Sequence, residues 1–269
     1  ETLIELKRDL AQLNIPLLAL LGTDYNSSIR IVTKLAQQYG VTAVHANSEL
    51  ELNEQQRDCK AETALQQAAI RIDFHRDQTI LPPTSVLTGE ATPYRVFTPF
   101  KRAWIKQITA AALDTLQRPR KRPQLRIEST PDEEILSWQA PTAANTYWKA
   151  GSNEAHKRLD YFTQSAIERY KNERDFPALC STSQLSPYLA VGAISLRSCL
   201  RQALHVNHFE WDSGSQGILT WISELVWREF YKHLSFHYPE LSKGVAFNPK
   251  TKHIPWSRNQ SLLSQWQRG

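Results

Sequence analysis

In TWISELVWREFYKHL, residues 220–234, an acid, a guanidinium and three large aromatics recur at spacings that bring them together. No Gly or Pro interrupts the stretch. At ~100° per residue of an α-helix, Trp221, Glu224, Trp227, Arg228 and Tyr231 share one arc of the cylinder. Ile222, Leu225, Val226 and Phe230 occupy most of the rest, interrupted by Glu229. A Glu224/Arg228 pair at i,i+4 would contribute only ~0.3–0.5 kcal/mol if exposed. Buried among aromatics it would often be no better than an apolar substitute. The face therefore either packs as plain aromatic core or walls a pocket for a polar or planar ligand, and the spacing leaves both open.

A second stretch, ERDFPALCSTSQLSPYLAVGAIS, places Thr182 and Ser183 just ahead of Ser186–Pro187. Ser followed by Pro is the usual opening of a helix. Hydroxyls clustered there can satisfy the helix's own N–H groups, or can help to hold a phosphate. Other chemistries find no support. No GxGxxG follows a strand pattern, and neither GxxxxGK[ST] nor GxSxG occurs. His233 and His237 stand four apart without a third ligand nearby in sequence, so packing or surface histidines are expected and no metal site is.

These residues must be positioned by a chain of 269 residues, long enough for about two domains. Its charged and apolar fractions are those of a folded globular protein. The run IPLLALL is too short to span a bilayer. Three cysteines without CxxC spacing imply free thiols in a reducing, cytosol-like compartment. A net charge of +5 favours an anionic partner without identifying it. The chain holds no Met and opens on Glu1, so an internal piece of a longer protein is expected, with an opening strand missing upstream.

The first hundred residues alternate helix and strand. Helices are expected over 2–13, over SSIRIVTKLAQQYG (with Ser at its start and Gly40 past its end) and from about Asn53 to Ala69. Strands are expected at IPLLALL, VTAVHA and IRIDFH. Such alternation predicts a doubly wound α/β unit, a mostly parallel sheet with helices on both faces. A helix near 100–116 follows. QRPRKRPQLRIESTPDEE mixes three prolines with dense charge and reads as a solvated linker better than as a phosphate-binding strip. From about Glu154 the pattern is helical. The expected division is an α/β domain over 1–116, a linker over 117–150 and the first part of an all-α domain over 151–269.

ERDFPALCSTSQLSPYLAVGAIS together with WISELVWREFYKHL resembles the flavin-domain signature of the photolyase/cryptochrome family. ELNEQQRD, ILPP and YRVFTPFKRAW resemble the antenna domain of its class I cyclobutane-pyrimidine-dimer photolyases. The likeness runs in order through nearly the whole chain. It implies a Rossmann-like antenna domain and a helical FAD-binding domain, both incomplete here, in which light-excited reduced FAD gives an electron to a pyrimidine dimer flipped from DNA. By that resemblance Trp227 stacks on the dimer, and Glu224 hydrogen-bonds its carbonyls and stabilises its radical anion. Trp221 and Arg228 line the flavin side, and Tyr170 meets a flavin phosphate. Thr182, Ser183, Gln184, Leu185 and Ser186 cradle the FAD pyrophosphate, with Gln184 standing where many relatives carry Arg. Arg174 contacts a DNA phosphate, and Glu224, Trp227, Arg228 and Tyr231 complete the DNA-facing set. Asn53, Glu54 and Lys243 match positions that hold a 5,10-methenyltetrahydrofolate antenna. The resemblance further implies a monomer in the cytoplasm, associated with the nucleoid through dimer-containing DNA and with no membrane partner. The alternative is a cryptochrome, a blue-light flavin photoreceptor without repair, whose pocket would lack the Glu224 and Trp227 pairing.

Overall fold

The computed structural model describes residues 1–138 and 148–269. Part of the expected linker, 139–147, lies outside the described residues.

The chain opens with helix α1 (Thr2–Ala11) and then α2 (Tyr25–Gln38). Asp24 caps α2 in a reciprocal box: its carboxylate accepts from the Ser27 N–H at 2.6 Å, while Ser27 Oγ accepts from the Asp24 N–H at 2.9 Å. The expected serine is thus the third helical residue rather than the cap. Past the far end, Gly40 takes the left-handed φ of +62° that a side chain would resist.

Strand β1 (Ala43–Asn47), helix α3 (Leu52–Gln67) and strand β2 (Arg71–His75) form a βαβ unit. The strands pair in parallel, Ala43 against Arg71 through Asn47 against His75. Ala36, Leu65 and Ile70 fill the small core between sheet and helices. IPLLALL is not a strand. Its bonds go to a crossing segment: Leu17 accepts from the Thr130 N–H at 2.9 Å and donates to Ser129 Oγ at 3.0 Å, and Ala19 N–H donates to Thr130 Oγ1 at 2.9 Å. With its polar groups satisfied there, no ladder forms, and Leu20 and Leu21 are exposed. The sheet among the described residues therefore has two strands.

Helix α4 (Phe97–Gln107) ends earlier than expected, because Ile108 turns extended and Thr109 caps a separate 3₁₀ turn at Ala110–Leu113. The charged segment after it folds back on α1. Arg118 donates to the Asp9 carbonyl at 3.2 Å, Arg122 N–H donates to the Leu13 carbonyl at 2.9 Å, and Lys7 pairs with Asp132 at the start of α5 (Asp132–Ser137).

The remainder is helical: α6 (Ser152–Ser165), α7 (Tyr170–Glu173), α8 (Ser186–Ala190), α9 (Leu196–Val206), α10 (Gln216–His237) and α11 (Gln260–Arg268). Helix α10 runs through the main core, with Ile222 and Val226 fully buried, each such side chain contributing about 1.5–3 kcal/mol. Ile80, Leu81, Val86, Phe100, Trp104 and Leu113, which precede the helical part, belong to the same core. At its start α10 meets the 3₁₀ turn Ile167–Arg169 so closely that a Cβ on Gly217 would lie 2.1 Å from the Glu168 carbonyl oxygen. That approach holds α7 beside the middle of α10.

Candidate functional site

The arc on α10 divides in two. Trp221, Glu224 and Arg228 line a cavity of about 840 Å³, together with Tyr170 of α7 and Ser183, Leu185 and Ser186 of the hydroxyl loop. Trp227 and Tyr231 fall on the neighbouring stripe. There the Trp227 ring stacks on Phe97 of α4 at 3.6 Å and 9°, and lies 5.5 Å from Tyr231 on nearly parallel planes. The five residues are not a single wall: α4 supplies a flat aromatic partner that draws Trp227 away from the cavity.

Glu224 does not pair with Arg228. Its carboxylate accepts instead from Arg174, at the end of α7. Arg228 donates through Nη1 to the Gln78 carbonyl at 2.9 Å. The reason lies between elements: the seating of α7 at Gly217 brings Arg174 to Glu224, and the loop after β2 brings a carbonyl to Arg228. The Arg174 guanidinium also sits 5.7 Å from the centre of the Tyr170 ring. Its bond to Glu224 raises the Arg174 pKa further, and burial, then the Glu224 charge, raises that of Tyr170. Trp221 is buried with its ring tilted against Phe162 at 4.9 Å.

In the loop, Leu185 is the residue before α8, and no side chain caps that helix. Capping by Ser186 is therefore not what the hydroxyl cluster does. Gln184 adopts a left-handed φ of +52°, and its Oε1 accepts from Arg158 Nη1 at 2.8 Å. Thr182, Ser183 and Gln184 line a second cavity of about 430 Å³, and Ser183 lines both. An aromatic and guanidinium-lined space joined to a hydroxyl loop suits a ligand with a planar ring at one end and phosphates at the other. The donor set fits FAD.

The residues expected at an antenna site lie at the edge of this region. Asn53 and Glu54 open α3, where the Tyr25 hydroxyl donates to Glu54. Lys243 ends the 3₁₀ turn Pro239–Lys243, whose Ser242 Oγ accepts from the Leu52 N–H at 3.4 Å. The two segments are thus neighbours, and Lys232 of α10 pairs with Glu51 at 2.7 Å beside them.

Two family models match the chain: DNA photolyase over residues 1–122, and FAD binding domain of DNA photolyase over 221–269. The chain belongs to the DNA photolyase family. This photolyase-family chain is 35% identical over 260 residues to the deoxyribodipyrimidine photo-lyase of Escherichia coli (strain K12), across 97% of itself and 54% of that protein. It is 34% identical over 273 residues to the deoxyribodipyrimidine photo-lyase of Vibrio cholerae, across 99% of itself and 57% of the relative. It spans about half the length of the curated relatives it matches. Among solved structures, a class III photolyase from Agrobacterium tumefaciens superposes with a TM-score of 0.79 at 26% identity, over 99% of this chain and 55% of that one. The relatives agree with an N-terminal photolyase domain followed by a helical FAD-binding domain.

Sequence reasoning missed several residues that the photolyase fold brings to the site. Asn47, Glu49, Asp77 and Gln78 line the larger cavity from the βαβ unit. Asn47 ends β1, and the other three follow β1 or β2; the carboxyl ends of parallel strands are where such sheets place ligand contacts, and that was the usable signal. Glu229 gave no signal beyond an interrupted apolar face. It is fully buried, and its carboxylate accepts from the Ile80 N–H at 3.0 and 3.1 Å and from Trp104 Nε1 at 3.2 Å. Burial pushes its pKa up to about 7 against the pull of those donors. One turn on, His233 is buried edge-on to Phe100, and burial lowers its pKa to about 4. His237 lies 2.9 Å from the Pro83 carbonyl. All three fasten the 80–83 segment and α4 to α10. The cysteines are free: Cys59 and Cys180 exposed, Cys199 buried.

Proposed function

We propose that the chain performs the chemistry of a deoxyribodipyrimidine photo-lyase: light-driven repair of cyclobutane pyrimidine dimers in DNA, with FAD as cofactor and a methenyltetrahydrofolate antenna. The observation that carries this reading is the pairing of Glu224 with Arg174 on a cavity that also holds Trp221, Arg228 and the hydroxyl loop. The relatives named photo-lyase support it. The proposal includes a doubly wound antenna domain over 1–116, a linker over 117–150 and a helical FAD-binding part over 151–269, with residues 80–113 packed into the helical core. It further takes the protein to be monomeric and nucleoid-associated. No described helix is long and apolar enough to cross a membrane.

When bound, reduced FAD supplies the photoexcited electron. The chain's own residues then have three tasks. Thr182, Ser183, Gln184, Leu185 and Ser186, with Tyr170, hold the phosphates, and Trp221 and Arg228 orient the ring end. Glu224 reaches the extruded lesion. To do so its carboxyl exchanges the bond with Arg174 for contacts with the lesion, and the guanidinium turns to a backbone phosphate. Trp227, with Tyr231 beside it, offers a stacking surface once Phe97 or Tyr231 moves off its face. Asn53, Glu54 and Lys243 hold the folate between the α3 start and the 239–243 turn.

The test is repair quantum yield under blue light for Glu224→Ala, with bound FAD followed by its absorption. A yield reduced several-fold at undiminished flavin content supports the assignment, and an unchanged yield rejects it.

A further inference from the structure

The geometry points to Arg158 as the residue that supplies positive charge to the diphosphate of the dinucleotide, an inference that rests on the FAD reading above. The loop 182–186 contributes hydroxyls, an amide and backbone donors, none of them charged. A diphosphate is dianionic, and its strong contacts are charge-assisted ones. Around the cavity lined by Thr182, Ser183 and Gln184, the charged side chains are Glu154, Lys157 and Arg158. Lys157 is exposed and Glu154 carries the wrong sign.

Arg158 is largely buried, with 19% of its side chain exposed, and it is fixed on several sides. Its Nη1 donates to Gln184 Oε1 at 2.8 Å, Glu154 lies 3.3 Å from its Nε, and its guanidinium sits over the Trp148 and Tyr188 rings at 5.2 and 5.7 Å. A planar fork held in place this way matches phosphate oxygens and loses little rotamer freedom on meeting them. Gln184 acts as the tether. Its left-handed backbone sets the side chain toward α6, which binds the guanidinium to the loop one residue from Ser183, where the two cavities meet. The positive charge is carried from α6 across a hydrogen bond to the neutral loop. Arg158 would therefore read the phosphates and leave the ring end to Trp221 and Arg228.

A residue that merely clamps the loop to α6 would affect every flavin alike. The test is therefore the dissociation constants of FAD and of riboflavin, which lacks the diphosphate, measured by fluorescence quenching on the full chain. Arg158→Gln is expected to weaken FAD about tenfold to a hundredfold and to leave riboflavin unchanged. Arg158→Gln with Gln184→Arg, which moves the guanidinium across the same hydrogen bond, is expected to restore FAD to within about threefold of the parent. Equal weakening of both flavins, or FAD binding untouched by Arg158→Gln, overturns the proposal. Should Arg158→Gln fail to fold, Arg158→Lys decides: it is expected to keep a preference for FAD over riboflavin, and loss of that preference overturns the assignment. A parent chain that binds neither flavin overturns the FAD reading itself, and so is distinct from failure of Arg158.

Discussion

Replacing Glu229 by Gln isolates one buried ionisable group of α10 that does not line the cavity. In the folded chain the carboxyl is fully buried with a pKa near 7, against 4.5 as its ordinary value. A raised carboxyl pKa means that the folded state binds the proton more tightly than the unfolded state. The resulting stability is fully present below pH 4.5 and is lost as pH rises through about 7. At 1.36 kcal/mol per pKa unit, the linkage between about pH 5 and pH 8 amounts to roughly 2–3 kcal/mol. The amide introduced by Glu229→Gln cannot titrate, yet its oxygen still accepts from the Ile80 N–H and Trp104 Nε1. The difference in unfolding free energy, parent minus Glu229→Gln, should therefore fall by about 2–3 kcal/mol from pH 5 to pH 8 in urea titrations followed by circular dichroism. Taking the difference cancels the carboxylates that push the other way, such as Glu51, paired with Lys232, and Asp132, paired with Lys7. Glu229→Leu should cost about 3–9 kcal/mol more than Glu229→Gln at either pH, from the three N–H donors of Ile80, Leu81 and Trp104 that it would strand, at about 1–3 kcal/mol each. A difference that stays flat with pH would mean that the hydrogen bonds to Ile80 and Trp104 keep Glu229 ionised throughout, and the argument from burial would be refuted.

Gly217→Ala should destabilise the chain by about 1–3 kcal/mol in thermal unfolding, since its Cβ would meet the Glu168 and Ile167 carbonyl oxygens at 2.1 and 2.3 Å; a melting temperature equal to the parent's would contradict the close approach. Glu54→Ala should lower folate retained on purification, read from near-ultraviolet absorption, and full retention would remove Glu54 from the antenna site.

Much of the architecture was legible as local pattern. The strands at 43–47 and 71–75, the helix between them, Gly40 as a stop signal and the helical second half follow from periodicity and caps, which depend on residues near one another in sequence. IPLLALL misled because a short apolar run does not say what its backbone will bond to; Ser129 and Thr130, more than a hundred residues away, decided it.

The sequence by itself determined that Trp221, Glu224, Trp227, Arg228 and Tyr231 occupy one side of a helix, because 3.6 residues per turn fixes angular position whatever surrounds it. Only the tertiary structure decided which of them face the cavity and with whom they pair. Phe97 claims Trp227, Arg174 claims Glu224, and Gln78 claims Arg228. Each partner arrives from another element, and hydrogen-bond and stacking energies act only at contact distance, so nothing along the helix could announce them.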